Sequence, residues 1–267
     1  MLKEKYDFND LLEIMSLLRS EKGCPWDREQ DHKSLKKYFL EETYEVMEAI
    51  DLEDKDMLCE ELGDVLLQVV FHSQVAKENG QFDIDDVING ICRKIITRHT
   101  HIFGNDTANT PHEVVHNWEN IKKREKGMLT QTEVLKSIPG NLPALMRSWK
   151  VQQKAAQVGF DWDNIEDVFD KVYEEIQELK DVYKSKNVER INDEVGDVFF
   201  ALVNLARFLQ VQPEIALMKT VQKFIDRFEY IEKKSIEAGK KLEDMTLAEM
   251  DQLWNEAKTL NINGKQK

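Results

Sequence analysis

The sequence predicts an all-α protein made of two related halves. Apolar residues recur with helical period through nearly all of the 267 residues, and no alternating strand pattern of useful length occurs. Glycine and proline are scarce, at 11 and 5, too few for the many turns of a β-sandwich or barrel. A glutamate cluster followed at a fixed distance by a second acidic pair occurs twice. The first copy reads EETYEVMEAI then EELGDVLLQVVF, and the second YEEIQELKDV then DEVGDVFFALVN.

Taken in order, the first half offers helices at 10–20, 33–52, 56–78, 84–98 and 112–126. The second half offers 141–157, 164–185, 188–210, 213–238 and 246–260. Pro213 suits a first helical turn, where its missing N–H is no loss. Thr246 and Glu249 spell a T-x-x-E capping box ahead of MDQLWNEAK. The weakest pattern lies at 127–143, GMLTQTEVLKSIPGNLP, which holds two of the five prolines and two of the eleven glycines. The expected division is therefore a domain at 1–127, a linker at 128–143 and a second domain at 144–267. The acidic clusters of the halves match at an offset of 133, and Trp118 with Lys122 matches Trp254 with Lys258 at 136. Two long units of this kind are an internal duplication rather than a solenoid.

Charge and cysteine content narrow the function. With 51 acidic against 37 basic residues the net charge is −14, which disfavours a nucleic-acid polymer or an anionic membrane as partner. A polyanion can still bind where a cation bridges the two. Three cysteines without CxxC spacing fit free thiols in a reducing compartment. The start MLKEKYDFNDLL lacks a signal-type apolar run and no stretch reaches transmembrane length, so a cytoplasmic protein is expected.

The acidic clusters carry the chemistry. Nineteen positions separate Glu42 from Glu61, and nineteen separate Glu175 from Glu194. In LCEELGDVLLQVVF the residues after Glu61 are apolar except Asp64 and Gln68, which lie at i+3 and i+7. They draw a narrow polar stripe on a helix expected to be otherwise buried. Glu194, Asp197 and Asn204 do the same in the second half. Two carboxylates about 4 Å apart repel by roughly 4 kcal/mol at an effective dielectric near 20, against about 1 in water. Four converging acids therefore call for cations. No Lys or Arg is expected among the four, and a hard divalent ion such as Mg²⁺, which takes oxygen ligands and keeps water and phosphate in its shell, fits better. Gly63 and Gly196 are expected to let another helix or a ligand approach the backbone.

This pattern, EExxE then ExxD, resembles the MazG family of all-α nucleoside triphosphate pyrophosphohydrolases. The likeness covers almost the whole chain and extends to GCPWDREQ, TRHTHIFG, IPGNLPAL, VGFDW and NLARFL. It implies hydrolysis of a nucleoside triphosphate to the monophosphate and pyrophosphate, with Mg²⁺ or a substituting Mn²⁺, in a homodimeric helical-bundle enzyme. The family's metal motif falls on Glu175, Glu178, Glu194 and Asp197, with Glu174 beside it as the expected acceptor of the water's proton. Lys171 and Arg190, each one turn before a ligand, join Lys223 and Arg227 at i, i+4 and Trp254 and Lys258 at i, i+4 as the expected triphosphate and base contacts. The family's binding positions match that set. The first half repeats the acids at Glu42, Glu45, Glu61 and Asp64, but its cation positions read Tyr38, Met57, Gly90, Lys94 and Lys122. Three of the five cations are gone, so catalysis is expected mainly in the second half. Apolar faces on 8–20 and 213–231 agree with the dimer the family implies.

Two other readings weigh less. Ferritin-like di-iron bundles use ExxH pairs, and Glu29–His32 and Glu113–His116 have that spacing. The first sits in the irregular CPWDREQDH segment and the second at a helix start. His99 and His101 read as surface or packing residues. A non-enzymatic helical scaffold leaves the acidic stripes unexplained, and the absence of GxxxxGK[ST] removes a P-loop enzyme.

Overall fold

The structure, a computed structural model, describes residues 2–260 apart from the side chain of His112. Every regular element among them is helical. The chain divides into two compact units, Met1–Ile121 and Lys122–Lys267, with the division inside one helix, α7.

Unit 1 begins with α1 (Phe8–Leu18), started by a reciprocal capping box between Asp7 and Asp10. The short α2 (Pro25–Glu29) opens with proline, then come α3 (Lys36–Leu52) and α4 (Lys55–Glu78). Asp54 ends the α3–α4 turn and accepts the Asp56 and Met57 N–H groups, so α4 starts abruptly and lies back along α3. Asp83 with Asp86 caps α5 (Ile84–Arg98), followed by α6 (Thr100–Phe103) and α7 (Pro111–Glu125). The core is Met15, Leu35, Val70, Phe71 and Val75, with Leu11, Leu12 and Tyr38 against it. The apolar face of α1 is thus largely spent inside the unit, against its expected role as a partner-seeking surface.

One arginine ties this unit together. Arg19, its side chain 7% exposed, pairs with Glu78 at 2.7 Å and donates to the Asp27 and Gln30 carbonyls. Its guanidinium also lies 5.4 Å from the Phe71 ring centre. The GCPWDREQ segment, with α2 inside it, is therefore folded onto a buried cation. Gly23 is required there, because a Cβ would stand 2.1 Å from the Leu18 carbonyl oxygen.

In unit 2, α8 (Gln131–Lys136) falls within the residues read as a linker and packs on α9 (Ala144–Ala156), with Val134 and Ile138 buried. Asn164 caps α10 (Ile165–Val182), and a 3₁₀ turn leads to α11 (Val188–Phe208), capped by Asn187. These two helices form the principal pair of unit 2, as α3 and α4 do in unit 1. Next is α12 (Pro213–Glu237), which starts on the expected proline, and α13 (Leu247–Thr259), which starts on the expected Thr246–Glu249 capping box. Arg207 holds the VGFDW segment to α11 by pairing with Asp161 while donating to Asn204.

Candidate active site

Acidic residues meet across each principal helix pair. On α10, EExxE spacing puts Glu175 and Glu178 about one turn apart and facing α11, whose ExxD spacing does the same for Glu194 and Asp197. Carboxylate oxygens of Glu175, Glu194 and Asp197 lie within 4.8 Å of one another. Glu175 is only 7% exposed, whereas Asp197 faces solvent. Glu178 stands beside the three: burial, then the charges of Glu175 and Glu194, hold its carboxyl above the usual range.

Unit 1 has a related group, Glu42, Glu45 and Glu61, whose oxygens also lie within 4.8 Å of one another, with the residue matching Glu178 in place of the one matching Asp197. Asp64 adds its charge from the same stripe. Burial pushes Glu42 up to about 7, helped by a hydrogen bond with Glu45 and the charges of Asp64, Glu45 and Glu61. Glu61 is raised as well, by burial and then by Glu45 and Asp64. Such groups of hard oxygen donors on two rigid helices suit a divalent cation in either unit.

The units differ in what neutralises them. The Lys171 ammonium lies 2.8 Å from Glu175 Oε1 and 3.0 Å from Glu174 Oε1. Those hydrogen bonds, to Glu175 first, hold its pKa above the ordinary lysine value. A lysine thus does sit among the acids, contrary to the expectation that none would; spacings of i+3 and i+4 on α10 bring it there. Glu174 itself is exposed. At the matching place Tyr38 is packed against the unit 1 core and stands 5.8 Å from Trp26, edge to face.

The remaining expected contacts gather on α12 and α13. Arg227 lies over the Trp254 ring at 5.4 Å, and Phe224 tilts against the same indole at 5.1 Å. Phe224 was not singled out by sequence, though its i, i+4 relation to Phe228, with stacked rings 6.2 Å apart, is the signal for it. Lys223 and Lys258 are exposed on these helices, and Arg190 is exposed in the first turn of α11. A groove of about 890 Å³ between Tyr230 and α13 has Asp251, Asn255 and Glu256 on its wall and none of the expected site residues.

Two expectations need correction. The helices bearing ExxD are not buried all round: Leu62 and Leu66 on α4, and Phe199, Phe200 and Leu202 on α11, are exposed, because the helices packed on α4 and α11 leave those positions uncovered. Among the described residues, a Cβ built at Gly63 or Gly196 would meet no atom within 4 Å beyond the glycine's own helical turn, so neither glycine serves the close approach of another helix there. The histidines do not form the di-iron pattern. His32 pairs with His72, Nδ1 to Nδ1 at 2.8 Å, and Glu113 accepts the backbone N–H of Asn109 and Thr110 at the start of α7. His116 meets Asn120, and His99 packs edge-on against Trp118 at 4.9 Å with His101 beside it. Among the described residues neither ExxH pair belongs to a group of three possible ligands.

Comparison with known proteins agrees with this geometry. The MazG nucleotide pyrophosphohydrolase domain model matches residues 30–103 and 164–234, one match over each acidic helix pair. The chain is 45% identical over 251 residues to the nucleoside triphosphate pyrophosphohydrolase/pyrophosphatase MazG of Thermotoga maritima, covering 94% of this chain and 95% of that protein. It is 44% identical to the nucleoside triphosphate pyrophosphohydrolase of Escherichia coli K12, covering 94% and 97%. An uncharacterized Bacillus subtilis protein, YabN, is 48% identical over 95% of this chain but only 52% of its own length. With two domain matches that coincide with the two acidic helix pairs, the chain belongs to the MazG nucleotide pyrophosphohydrolase family.

Proposed function

We propose that this protein hydrolyses nucleoside triphosphates, ribo or deoxy, to the monophosphate and pyrophosphate, chiefly in unit 2 and with Mg²⁺, which Mn²⁺ can replace. The observation that carries the reading is the Glu175–Glu194–Asp197 group in the same unit as Arg227 stacked on Trp254. Glu175, Glu178, Glu194 and Asp197 hold the cation. Bound there, Mg²⁺ supplies positive charge to the phosphate oxygens and acidifies a water.

The chain's own groups do the rest. Lys171, Arg190, Lys223, Arg227 and Lys258 bind phosphate oxygens, each charge-assisted contact contributing roughly 1.5–3 kcal/mol. Trp254 offers its indole to the base, with Phe224 and Arg227 fixing the ring. Glu174 accepts the proton of the attacking water on a carboxylate oxygen. Unit 1 binds metal but grips triphosphate poorly, since Tyr38, Met57 and Gly90 replace three cations.

A homodimer completes the reading, supported by the exposed apolar row on α12, and the three free thiols suit a reducing cytoplasm. Among the described residues no helix is long and apolar enough to cross a membrane. Incubating the protein with Mg²⁺ and each NTP and dNTP, then identifying products, tests the activity. Monophosphate and pyrophosphate are expected, with loss of turnover in EDTA; diphosphate and orthophosphate would refute the reading.

A further inference from the structure

The two acidic groups each bring three carboxylates together, matched at two of the three positions, and they differ in the cation beside them. In unit 2 the Lys171 ammonium contacts Glu175 at 2.8 Å, and Glu175 is also one of the three residues whose oxygens converge. Its carboxylate is almost buried, while the lysine side chain is one-third exposed (34%). An ammonium on a four-carbon stem can swing away from such a partner without disturbing the helix. Glu174, half-exposed on the outer side at 3.0 Å, offers it a second anchor. In unit 1 the groups acting on Glu42 are Glu45, Asp64 and Glu61, all carboxylates, and the Lys37 ammonium lies 4.6 Å over the Tyr38 ring.

We infer that Lys171 is a built-in countercation of the unit 2 site, which competes with the divalent cation for Glu175 and yields it when a triphosphate offers the ammonium another anion. The inference rests on the proposed metal role of these acids and adds an order to it. A bare divalent cation must break the Lys171–Glu175 pair and then sit beside an uncompensated ammonium. A cation that arrives with a triphosphate brings the anion Lys171 needs. Unit 2 therefore favours metal and nucleotide together, whereas unit 1, with Tyr38 in place of the lysine, takes metal alone. This linkage is reciprocal, so nucleotide must also bind more tightly when metal is present.

The test counts bound Mn²⁺ by electron paramagnetic resonance on the full chain stripped with chelator, with turnover playing no part. In a Glu42→Gln/Glu45→Gln background, where unit 2 is the site observed, Lys171→Met is expected to tighten Mn²⁺ binding about fivefold or more without nucleotide. With α,β-methylene ATP present the tightening should disappear. The converse variant, Tyr38→Lys in a Glu175→Gln/Asp197→Asn background, should weaken Mn²⁺ binding by unit 1 to a similar degree, and it decides the matter if Lys171→Met does not fold. Unchanged or weaker Mn²⁺ binding in Lys171→Met, or unchanged binding in Tyr38→Lys, overturns the inference and leaves the metal site standing. No Mn²⁺ binding by unit 2 with or without the nucleotide analogue removes the metal site and the inference together.

Discussion

Glu175 is both nearly buried and paired, so its loss reaches further than that of an exposed acid. Glu175→Gln takes a charge from the convergent group and from Lys171 at once, and Asp197→Asn removes a second donor. Either substitution is expected to abolish pyrophosphate release, while Glu42→Gln and Asp64→Asn leave most of it; the reverse ranking in a product assay would assign catalysis to unit 1. Glu249 gives a separate prediction about acid. The Lys240 ammonium, 2.7 Å away, together with the Thr246 N–H and hydroxyl, pulls its carboxyl from 4.5 down to about 2. A depressed carboxyl stabilises the fold above its unfolded pKa, and the gain fades as pH falls from about 4.5 toward 2. Glu249→Gln should therefore lower the melting temperature slightly at pH 6 and converge with the parent near pH 2. The effect is small because the pair is solvent-exposed. Equal melting temperatures at pH 6 would show that this cap contributes nothing.

At the scale of elements, the helices were legible because their period and start signals are local. Pro213 and the Thr246–Glu249 box announce α12 and α13, and the caps Asp54, Asp83, Asn164 and Asn187, of the same local kind, start α4, α5, α10 and α11, which the sequence shows by period alone. What joins the elements was not legible. Arg19 and Glu78 are 59 positions apart, and Arg207 and Asp161 are 46 apart, and no periodicity encodes such pairs. The place of Lys171 one turn before Glu175 fits a phosphate contact. That same spacing also fits an ion pair with Glu175, and the sequence could not choose between them. The short α8 escaped notice because its six residues fall below the length at which a helical period is readable. The Arg19 staple itself carries a prediction. Arg19→Met keeps the stem over Phe71 but takes the guanidinium from Glu78 and from the Asp27 and Gln30 carbonyls. Breaking a fully buried charge pair costs about 3 kcal/mol, and solvent at the one-third-exposed Glu78 reduces the loss here to about 1–2 kcal/mol. Urea denaturation should show a loss of that order in unit 1, with the unit 2 transition unmoved; a loss under about 0.5 kcal/mol, the size of an ordinary surface substitution, would mean that water serves the carbonyls as well.

Taken whole, the chain keeps more apolar surface outside than its own packing explains. On α12, Leu217, Val221, Phe224, Ile225 and Phe228 are exposed, and they recur at spacings of three and four, so they form one stripe. Exposed Phe199, Phe200 and Leu202 on α11 add to the same unit's surface. The sequence showed the α12 stripe but also promised one on α1, which Met15 and its neighbours absorb into the unit 1 core. At roughly 25 cal/mol for each Å² of apolar surface, leaving a stripe of this size in water is costly. A second copy is the natural cover, and about 800 Å² from each partner makes a stable interface. Sedimentation at micromolar concentration should thus find a species near twice 31.3 kDa. Val221→Glu places a charge in the middle of the stripe and should shift that species to single-chain mass while each chain keeps its helical circular dichroism. A wild-type protein that sediments only as 31.3 kDa at that concentration would end the dimer proposal. The α12 stripe would then need another cover.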